Sequence, residues 1–391
     1  MKKNTVLTFI YGHPENYPPT LHAIEQLALH FEKVLVVFRP NRPLEWPYPS
    51  NVQLLPSENK IIPVAEQEHA GLLRKTCWFL RFVWKAIATH RQYKPDVVLA
   101  YDSLAMLCMY MVQKAGPKTS DVLFWYHNHD VPDKPSSYSL PWLALKMQKQ
   151  VFSRLDLFSL PANARKSYFP MDVFTGKYFF LPNYPLLSLL NSAALEGKNL
   201  QNNEIKLLYQ GAISDGHGIE EIIPLLQHRV NGKTCRLTVI GPVKEAYKQY
   251  LMTRAENLGV SGRLHIMEAV SYYALSAITR QHHIGLAILN DTTNINHMTA
   301  ATASNKIAEY IAAGLPVLYF DHPTQKSVLE AYSWAFATDL SRTSLVSTLS
   351  AIDHQYATIS KQAAADFQNI LHFEKYFEPL ASHLTSCLNR E

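Results

Sequence analysis

The residue types best suited to bind a phosphate or a sugar lie in two segments of the second half of the sequence. The first segment, Gly211 to Gly218, contains His217 and precedes apolar residues at helical spacing from Ile219 onward. A glycine-rich turn that opens a helix offers free backbone N–H groups and a positive dipole end to a phosphate. It is not a Walker loop, because His217-Gly218 replaces the Lys-Ser/Thr pair. A tight turn whose glycines only satisfy backbone geometry explains the segment equally well.

The second segment runs from Ser304 to Gly314 and predicts a helix. Ser304 is a suitable N-cap and Gly314 a suitable residue just beyond the last turn. Asn305 and Glu309 are four residues apart and share one face, with Lys306 beside them. A carboxylate one turn into a helix whose N-terminus holds a diphosphate can accept hydrogen bonds from a ribose. The simpler interpretation of this segment alone is that Glu309 is a solvated surface residue and that Lys306 is one of the charged residues common on helix surfaces.

Short β-type runs alternate with amphipathic stretches along the whole chain, which favours parallel βαβ units. One series occupies each half, and a stretch from Tyr184 to Glu204, polar and Asn-rich in its second half, separates them. We therefore predict two doubly wound α/β domains facing each other across a cleft, where such folds bind ligands at the carboxyl ends of the strands. No complete Gly-x-Gly-x-x-Gly follows a strand, so a dinucleotide fingerprint is absent. The predicted strands are Val6 to Tyr11, Val34 to Phe38, Val97 to Tyr101, Val122 to Tyr126, Leu157 to Leu160, Ile205 to Gln210, Arg236 to Gly241, Leu264 to Met267, Ile284 to Leu289 and Val317 to Phe320.

The composition excludes several classes of protein. The 391 residues are 47% hydrophobic, enough for sizeable cores, and the net charge of +5 is mild for this length. A nucleic-acid partner is therefore not expected. The four cysteines are far apart, which indicates a reducing compartment and no structural zinc. The N-terminal apolar run is too short for a signal sequence, and the longest run, Leu104 to Val112, cannot span a bilayer. We expect a cytoplasmic protein, peripheral at most to the inner face of the membrane.

The sequence resembles the GT-B glycosyltransferases, specifically glycosyltransferase family 4 (group 1). The resemblance covers the second half well and the first half loosely. It implies that Glu309 binds the donor ribose and that the donor diphosphate is held near Gly211, His217, Gly218, Ser304, Asn305 and Lys306. It also implies that the histidine of a first-domain His-acid motif lies near the transferred sugar. The matching segments are Leu181-Pro182-Asn183, Leu208 to Glu220, Ser304 to Val317, Tyr126 to Asp130 and Leu371 to Leu388.

The sequence departs from the family pattern at three positions. Ala301 stands where the first glutamate of Glu-x7-Glu contacts the donor sugar, and Ala212 stands where an arginine usually follows the glycine. His217 occupies a further position that is usually basic. A histidine beside a pyrophosphate would favour its charged form, and Lys306 could supply part of the missing charge.

Sugar transfer from a nucleotide diphosphate requires stabilisation of the departing diphosphate, by a metal ion or by arranged N–H groups and cations. The chain contains no Asp-x-Asp, so we expect a metal-independent reaction without a cofactor. His129, with Asp130 beside it, is the candidate base for the acceptor hydroxyl. Two alternatives remain at this motif: a partial metal site made by His127 and His129, and a strand-end histidine satisfied by the backbone.

The stretch Leu72 to Tyr93 mixes aromatic and basic residues in a helical pattern. Such a helix suits a membrane interface or an anionic lipid-linked acceptor, although a core helix with a solvated basic edge has the same pattern. A glycan is the other acceptor that we expect.

We predict a hexosyltransferase that moves sugar from a nucleotide-diphosphate sugar during synthesis of a surface polysaccharide or glycoconjugate. A sugar-nucleotide epimerase of related fold and a non-catalytic GT-B partner subunit are the alternatives. The predicted divisions are an acceptor domain over 1–185, a linker over 186–204, a nucleotide-sugar domain over 205–370, and a C-terminal helix over 371–391 that returns to the first domain.

Overall fold

The computed structural model describes residues 4–115, 122–132, 135–190, 192–198, 200 and 203–389. Parts of the predicted linker (191, 199, 201 and 202) and of the C-terminal segment (390 and 391) lie outside these residues. The chain forms two compact units, one of Met1–Pro182 with Tyr376–Glu391 and one of Asn183–Lys375.

The first unit contains one parallel sheet with helices around it. Its strands are β1 Thr5–Ile10, β2 Lys33–Phe38, β3 Val52–Pro56, β4 Val97–Tyr101, β5 Leu123–His127, β6 Leu157–Leu160 and β7 Lys177–Phe180. They lie in the order β3-β2-β1-β4-β5-β6-β7. Strand β4 is buried along its whole length, as expected for a parallel strand covered on both faces. The helices are α1 Pro18–His30, α2 Val64–His69, α3 Leu72–Tyr93, α4 Asp102–Ala115 and α5 Leu140–Phe152.

The second unit repeats the same winding. Its strands, with β9 paired only to β10, are β8 Glu204–Gln210, β9 Arg229–Val230, β10 Lys233–Ile240, β11 Leu264–Met267, β12 Ile284–Ala287, β13 Val317–Phe320 and β14 Ala335–Thr338. Its helices are α6 Ile219–Ile222, α7 Glu245–Asn257, α8 Tyr272–Thr279, α9 Ile295–Met298, α10 Ala300–Ala303, α11 Asn305–Ala312, α12 Pro323–Leu329, α13 Arg342–His354 and α14 Tyr356–Asn369. The final helix, α15 Phe373–Leu388, begins in this unit and belongs to the first unit from Tyr376 onward.

Both sheets have the Rossmann winding order. The second sheet runs β11-β10-β8-β12-β13-β14, so successive strands are added in one direction from β8 and in the other direction from β12, although all of these strands are parallel. Ligands of open α/β sheets bind beside the carboxyl ends of the strands at such a switch point. The predicted doubly wound α/β architecture is therefore confirmed for each unit. None of the helices in the described part of the chain combines the length and apolarity that a bilayer crossing needs.

Candidate functional site

The turn after β8 depends on glycine at both of its ends. Gly211 has φ +123°, and a β-carbon there would lie 2.7 Å from Lys306 Cε. Gly218 has φ +69°, and a β-carbon there would lie 2.2 Å from Ile288 Cγ2. Side chains at these positions would be strained and would displace the neighbouring strand end or the lysine. The turn is thus shaped to let Lys306 lie against it.

The helix that follows this turn is shorter than the sequence pattern predicts. Only Ile219–Ile222 is α-helical, and Ile223–Gln227 continues as a 3-10 helix. Pro224 lacks an N–H and breaks the α-helical hydrogen-bond pattern at this point. One turn adds few peptide dipoles, so the dipole contribution expected at Gly218 is smaller than that of a full helix.

Lys306 lies in the first turn of α11 and joins it to the turn after β8. Its ammonium lies 5.1 Å from the centre of the Tyr209 ring, a cation–π contact, and it packs against Gly211. Burial lowers the pKa of Lys306 to about 8, although the nearby Glu309 carboxylate raises it. The sequence-predicted groups of the two segments are therefore brought together by the fold.

Glu309 is buried and is not the solvated surface residue that the simpler interpretation required. Gln210 Nε2 donates to its carboxylate, and Gln210 Oε1 accepts a 3.0 Å bond from Thr279 Oγ1. Burial raises the pKa of Glu309 to about 7, opposed by hydrogen bonds from Gln210 and Tyr272 and by Lys306. Glu309 lines a pocket together with Gln210, Tyr272 and Thr279.

His217 is held inside the turn by Tyr209. Its Nδ1 lies 2.8 Å from Tyr209 Oη, which donates its one proton to Ala212 O at 2.7 Å. In that arrangement Nδ1 carries the imidazole proton and Nε2 keeps its lone pair. Burial, Lys306 and His297 lower the pKa of His217 to about 4, so the ring is neutral at pH 7 in the free protein.

Ser304 and Asn305 occupy the start of α11 as predicted from the pattern. Ser304 has the extended backbone of an N-cap, but its side chain makes no capping hydrogen bond. The preceding segment is fixed instead by Asn183, whose backbone N–H donates to Thr302 O at 3.0 Å and whose side chain donates to Ala303 O at 2.7 Å. The Leu-Pro-Asn motif thus has a physical role, which is to anchor the chain entering α11.

In the first unit, His129 follows the end of β5 and is buried between two aromatic rings. Its ring stacks on Tyr17 and Tyr101, with centroids 4.7 and 5.2 Å away. Nε2 lies 2.9 Å from Thr20 Oγ1, whereas Nδ1 is buried and has no hydrogen-bond partner among the described residues. Burial lowers the pKa of His129 to about 4, despite the opposing field of Asp130.

The carboxylate that supports the backbone of His129 is Asp102, a residue that the sequence pattern did not indicate. Asp102 Oδ1 accepts a 2.8 Å hydrogen bond from the backbone N–H of His129. The backbone of Asp102 itself is left-handed, with φ +62°. Asp130 forms an ion pair at 3.4 Å with Arg165, whose guanidinium also donates to His129 O. Asp130 is thus placed next to the histidine but is oriented towards the arginine.

His127 points to a different neighbour. Its Nδ1 lies 2.8 Å from Ser159 Oγ, which also accepts from Trp125 Nε1 at 2.7 Å. Within the described ranges, no group of three His, Cys, Asp or Glu side chains is arranged to hold a metal ion.

No protein-family profile and no curated protein sequence matches this chain. Solved structures do. Sucrose-phosphate synthase from Thermosynechococcus elongatus aligns with TM-score 0.70 at 12% identity over 98% of both chains. Anabaena HepE in complex with UDP-glucose aligns with TM-score 0.66 at 14% identity over 98% of this chain and 99% of HepE. WaaG, a glycosyltransferase of lipopolysaccharide biosynthesis, aligns with TM-score 0.62 at 15% identity over 97% and 99%.

These neighbours are GT-B glycosyltransferases and they align over almost the full length of the chain. The protein therefore has the GT-B fold, as the sequence resemblance implied.

Proposed function

We propose that this protein is a glycosyltransferase that takes a hexose from a nucleotide-diphosphate sugar. One observation carries the proposal: α11 presents the Lys306 ammonium and the Glu309 carboxylate beside the glycine turn at the switch point of the second sheet. The carboxylate would accept hydrogen bonds from the ribose hydroxyls, and the ammonium would lie beside the negatively charged diphosphate. Support also comes from Anabaena HepE, a neighbour solved with UDP-glucose.

The departing diphosphate would be stabilised without a metal ion or cofactor. Lys306 supplies a positive charge, and the backbone N–H groups at the start of α11, near Ser304 and Asn305, supply donors. A bound diphosphate would raise the pKa of His217 from about 4, because the charged ring is favoured beside an anion. His217 would then replace the basic residue that the family pattern has there.

In the first unit we propose His129 as the group that receives the proton of the acceptor hydroxyl. The ring is neutral at pH 7, and its Nδ1 is buried without a hydrogen-bond partner among the described residues. Asp130 lies close enough for its negative charge to favour the protonated ring once it forms. The acceptor would be a glycan or a lipid-linked sugar, in the synthesis of a surface polysaccharide or glycoconjugate.

The donor assignment is tested by calorimetric titration of UDP, GDP and ADP into the wild-type chain and into Glu309→Ala. Hydrogen bonds to a charged group contribute about 1.5–3 kcal/mol each, so the variant should bind the preferred nucleotide at least tenfold more weakly. Glu256→Ala, an exposed change on α7 of the same unit, should bind as the wild type does.

Unchanged affinity in Glu309→Ala would remove the ribose assignment. Incubation with nucleotide sugars then separates the alternatives: slow release of free nucleotide supports a transferase, and interconversion of sugars supports an epimerase. Absence of any nucleotide binding supports a non-catalytic subunit, for which Ala301 and Ala212 are the motivating positions.

We also propose that α3 makes a peripheral contact with an anionic membrane. Leu73, Leu80 and Trp84 recur on one side of the helix and are 85%, 55% and 71% exposed. Basic residues flank this row, although Arg74 pairs with Glu66 and Arg81 with Glu58. The paired charges leave the apolar side chains as the larger expected contribution to membrane affinity.

The membrane contact is tested by sedimentation with phosphatidylglycerol vesicles at low salt. A Leu80→Ala/Trp84→Ala double variant should lose most of the bound fraction, because the apolar area that enters the interface is removed. Leu29→Ala removes an equally exposed leucine (75%) from α1 and should bind as the wild type does. Equal vesicle binding by all three proteins would exclude α3 as the contact.

A further inference from the structure

The sheet of the second unit carries basic side chains on one face, at the end opposite the glycine turn. Lys206 on β8 is in register with Arg236 on β10, and His265 on β11 is in register with Thr238, two residues further along β10. Side chains in register on parallel strands point to the same face. The alternate residues Ile205, Leu207, Cys235 and Leu237 point to the other face and form the core.

Hydrogen bonds tie Lys198 to Arg280, and Lys206 to His283. Lys198 Nζ donates to Arg280 O at 2.9 Å, just after α8. The Lys206 backbone N–H donates to His283 Nδ1 at 3.1 Å, and His283 N donates to Lys206 O at 2.9 Å. We call Lys198, Lys206, His265, Arg280, His282 and His283 the basic cluster.

The negative charge that acts on the basic cluster comes from Glu204, whose carboxylate acts to raise the pKa of His283 against the larger effect of burial. Arg236 is paired with Glu204 at 2.9 Å, but no carboxylate among the described residues lies within 4 Å of Lys198, Lys206 or Arg280. The ammonium groups of Lys206 and Lys198 lower the pKa values of His282 and His283, after burial as the main cause. Burial and Arg280 lower the pKa of Lys198 to about 8. The cations therefore repel one another, and a bound anion would relieve that repulsion.

This cluster lies apart from the proposed donor site. Lys206 stands five residues before Gly211, which directly follows the same strand, and a strand rises about 3.3 Å per residue, so the two lie on the order of 16 Å apart. A single diphosphate cannot contact both. The proposed nucleotide contacts leave the basic cluster unused.

We infer that the basic cluster binds a phosphate group of a small, multiply charged, soluble anion. Lys198, Lys206 and Arg280 supply cations from three separate chain segments, and imidazole N–H groups can add hydrogen bonds to phosphate oxygens. Arg280 and His265 are exposed, so a ligand can reach the cluster from solvent.

The inference is tested by titrating pyrophosphate into the full chain with saturating UDP present, so that the donor site is filled. Pyrophosphate should bind, and Lys206→Gln and Arg280→Gln should each weaken it at least tenfold. Lys149→Gln, on an exposed lysine of the first unit, should leave the affinity unchanged. Thermal unfolding of each variant confirms that it is folded. If Lys206→Gln does not fold, Arg280→Gln still tests the inference, because Arg280 is exposed.

Equal pyrophosphate affinity in all variants, or loss of binding when UDP is added, would overturn the inference. Binding only to phosphatidic acid vesicles, lost in Lys206→Gln, would assign the phosphate to a lipid and overturn the soluble ligand. The outcome does not depend on the donor proposal. If UDP does not bind at all, the same comparison of variants in pyrophosphate alone decides the question.

Discussion

At the scale of single residues, the proposed donor site holds two ionisable groups whose charged forms are disfavoured by burial. The pKa of Glu309 is raised to about 7 and the pKa of Lys306 is lowered to about 8. Both therefore change charge near neutral pH in the free protein. A nucleotide-diphosphate sugar needs the carboxylate ionised for its ribose and the ammonium protonated for its diphosphate.

Donor affinity should therefore have a maximum between about pH 7 and 8. Below pH 7 Glu309 becomes protonated and loses acceptor strength; above pH 8 Lys306 loses its positive charge. Calorimetric titration of UDP-glucose from pH 6 to 9 measures this profile, because this ligand has no phosphate that titrates in the range. Glu309→Gln should remove the acid limb and move the alkaline limb to lower pH, because the Glu309 carboxylate raises the pKa of Lys306. A flat profile for the wild type would contradict the assignment.

At the scale of elements, the position of α11 depends on how closely it approaches β12. Tyr310 packs over Gly285, where a β-carbon would lie 2.2 Å from the tyrosine ring. The Tyr310 hydroxyl accepts from Gln210 N at 3.1 Å and donates to Leu286 O at 3.3 Å. The helix that carries Lys306 and Glu309 is thus set against the switch point by one glycine and one tyrosine.

Gly285→Ala should lower the free energy of unfolding by about 1–3 kcal/mol, because the added methyl group overpacks the contact with Tyr310. Urea unfolding measures the change. Gly262→Ala is the matched control, since a β-carbon there meets nothing within 4 Å, and its stability should stay close to that of the wild type. If Gly285→Ala left the free energy of unfolding unchanged, α11 would have to move away from β12 without loss of stability.

At the scale of the whole molecule, the end of the chain completes the core of the first unit. Phe377 on α15 is fully buried, with ring centroids 6.4 Å from Trp125 and 6.3 Å from His30. Residues from Tyr376 onward belong to that unit although nearly 200 residues separate them from its last strand. The first unit therefore cannot complete its core until the segment that contains Phe377 has been synthesised.

Phe377→Ala should destabilise the first unit by about 3–5 kcal/mol through the lost contacts and the cavity left behind. Amide hydrogen exchange should quicken in β5 and α1 before it changes in the second unit. Glu378→Ala, the next and exposed residue of the same helix, should leave exchange unchanged. Uniformly faster exchange in both units would indicate that they unfold as one.

Local patterning accounts for the strands predicted most closely. Val97–Tyr101, Leu157–Leu160, Leu264–Met267 and Val317–Phe320 have their predicted bounds, because apolar runs of this length are set by local sequence. The strands Val52–Pro56, Lys177–Phe180 and Ala335–Thr338 were not predicted. They lie at or next to sheet edges, where partial exposure weakens the apolar pattern.

The sequence by itself determined the alternation of strands and helices, the spacing of Lys306 and Glu309 on one helix face, and the resemblance that implied the GT-B fold. These features depend on neighbours a few residues apart. Tertiary structure alone decided that Gln210 meets Glu309 across 99 residues and that Asp102, rather than Asp130, accepts the His129 N–H. The physical reason is that strand order fixes which distant side chains meet, and local periodicity carries no information about that order.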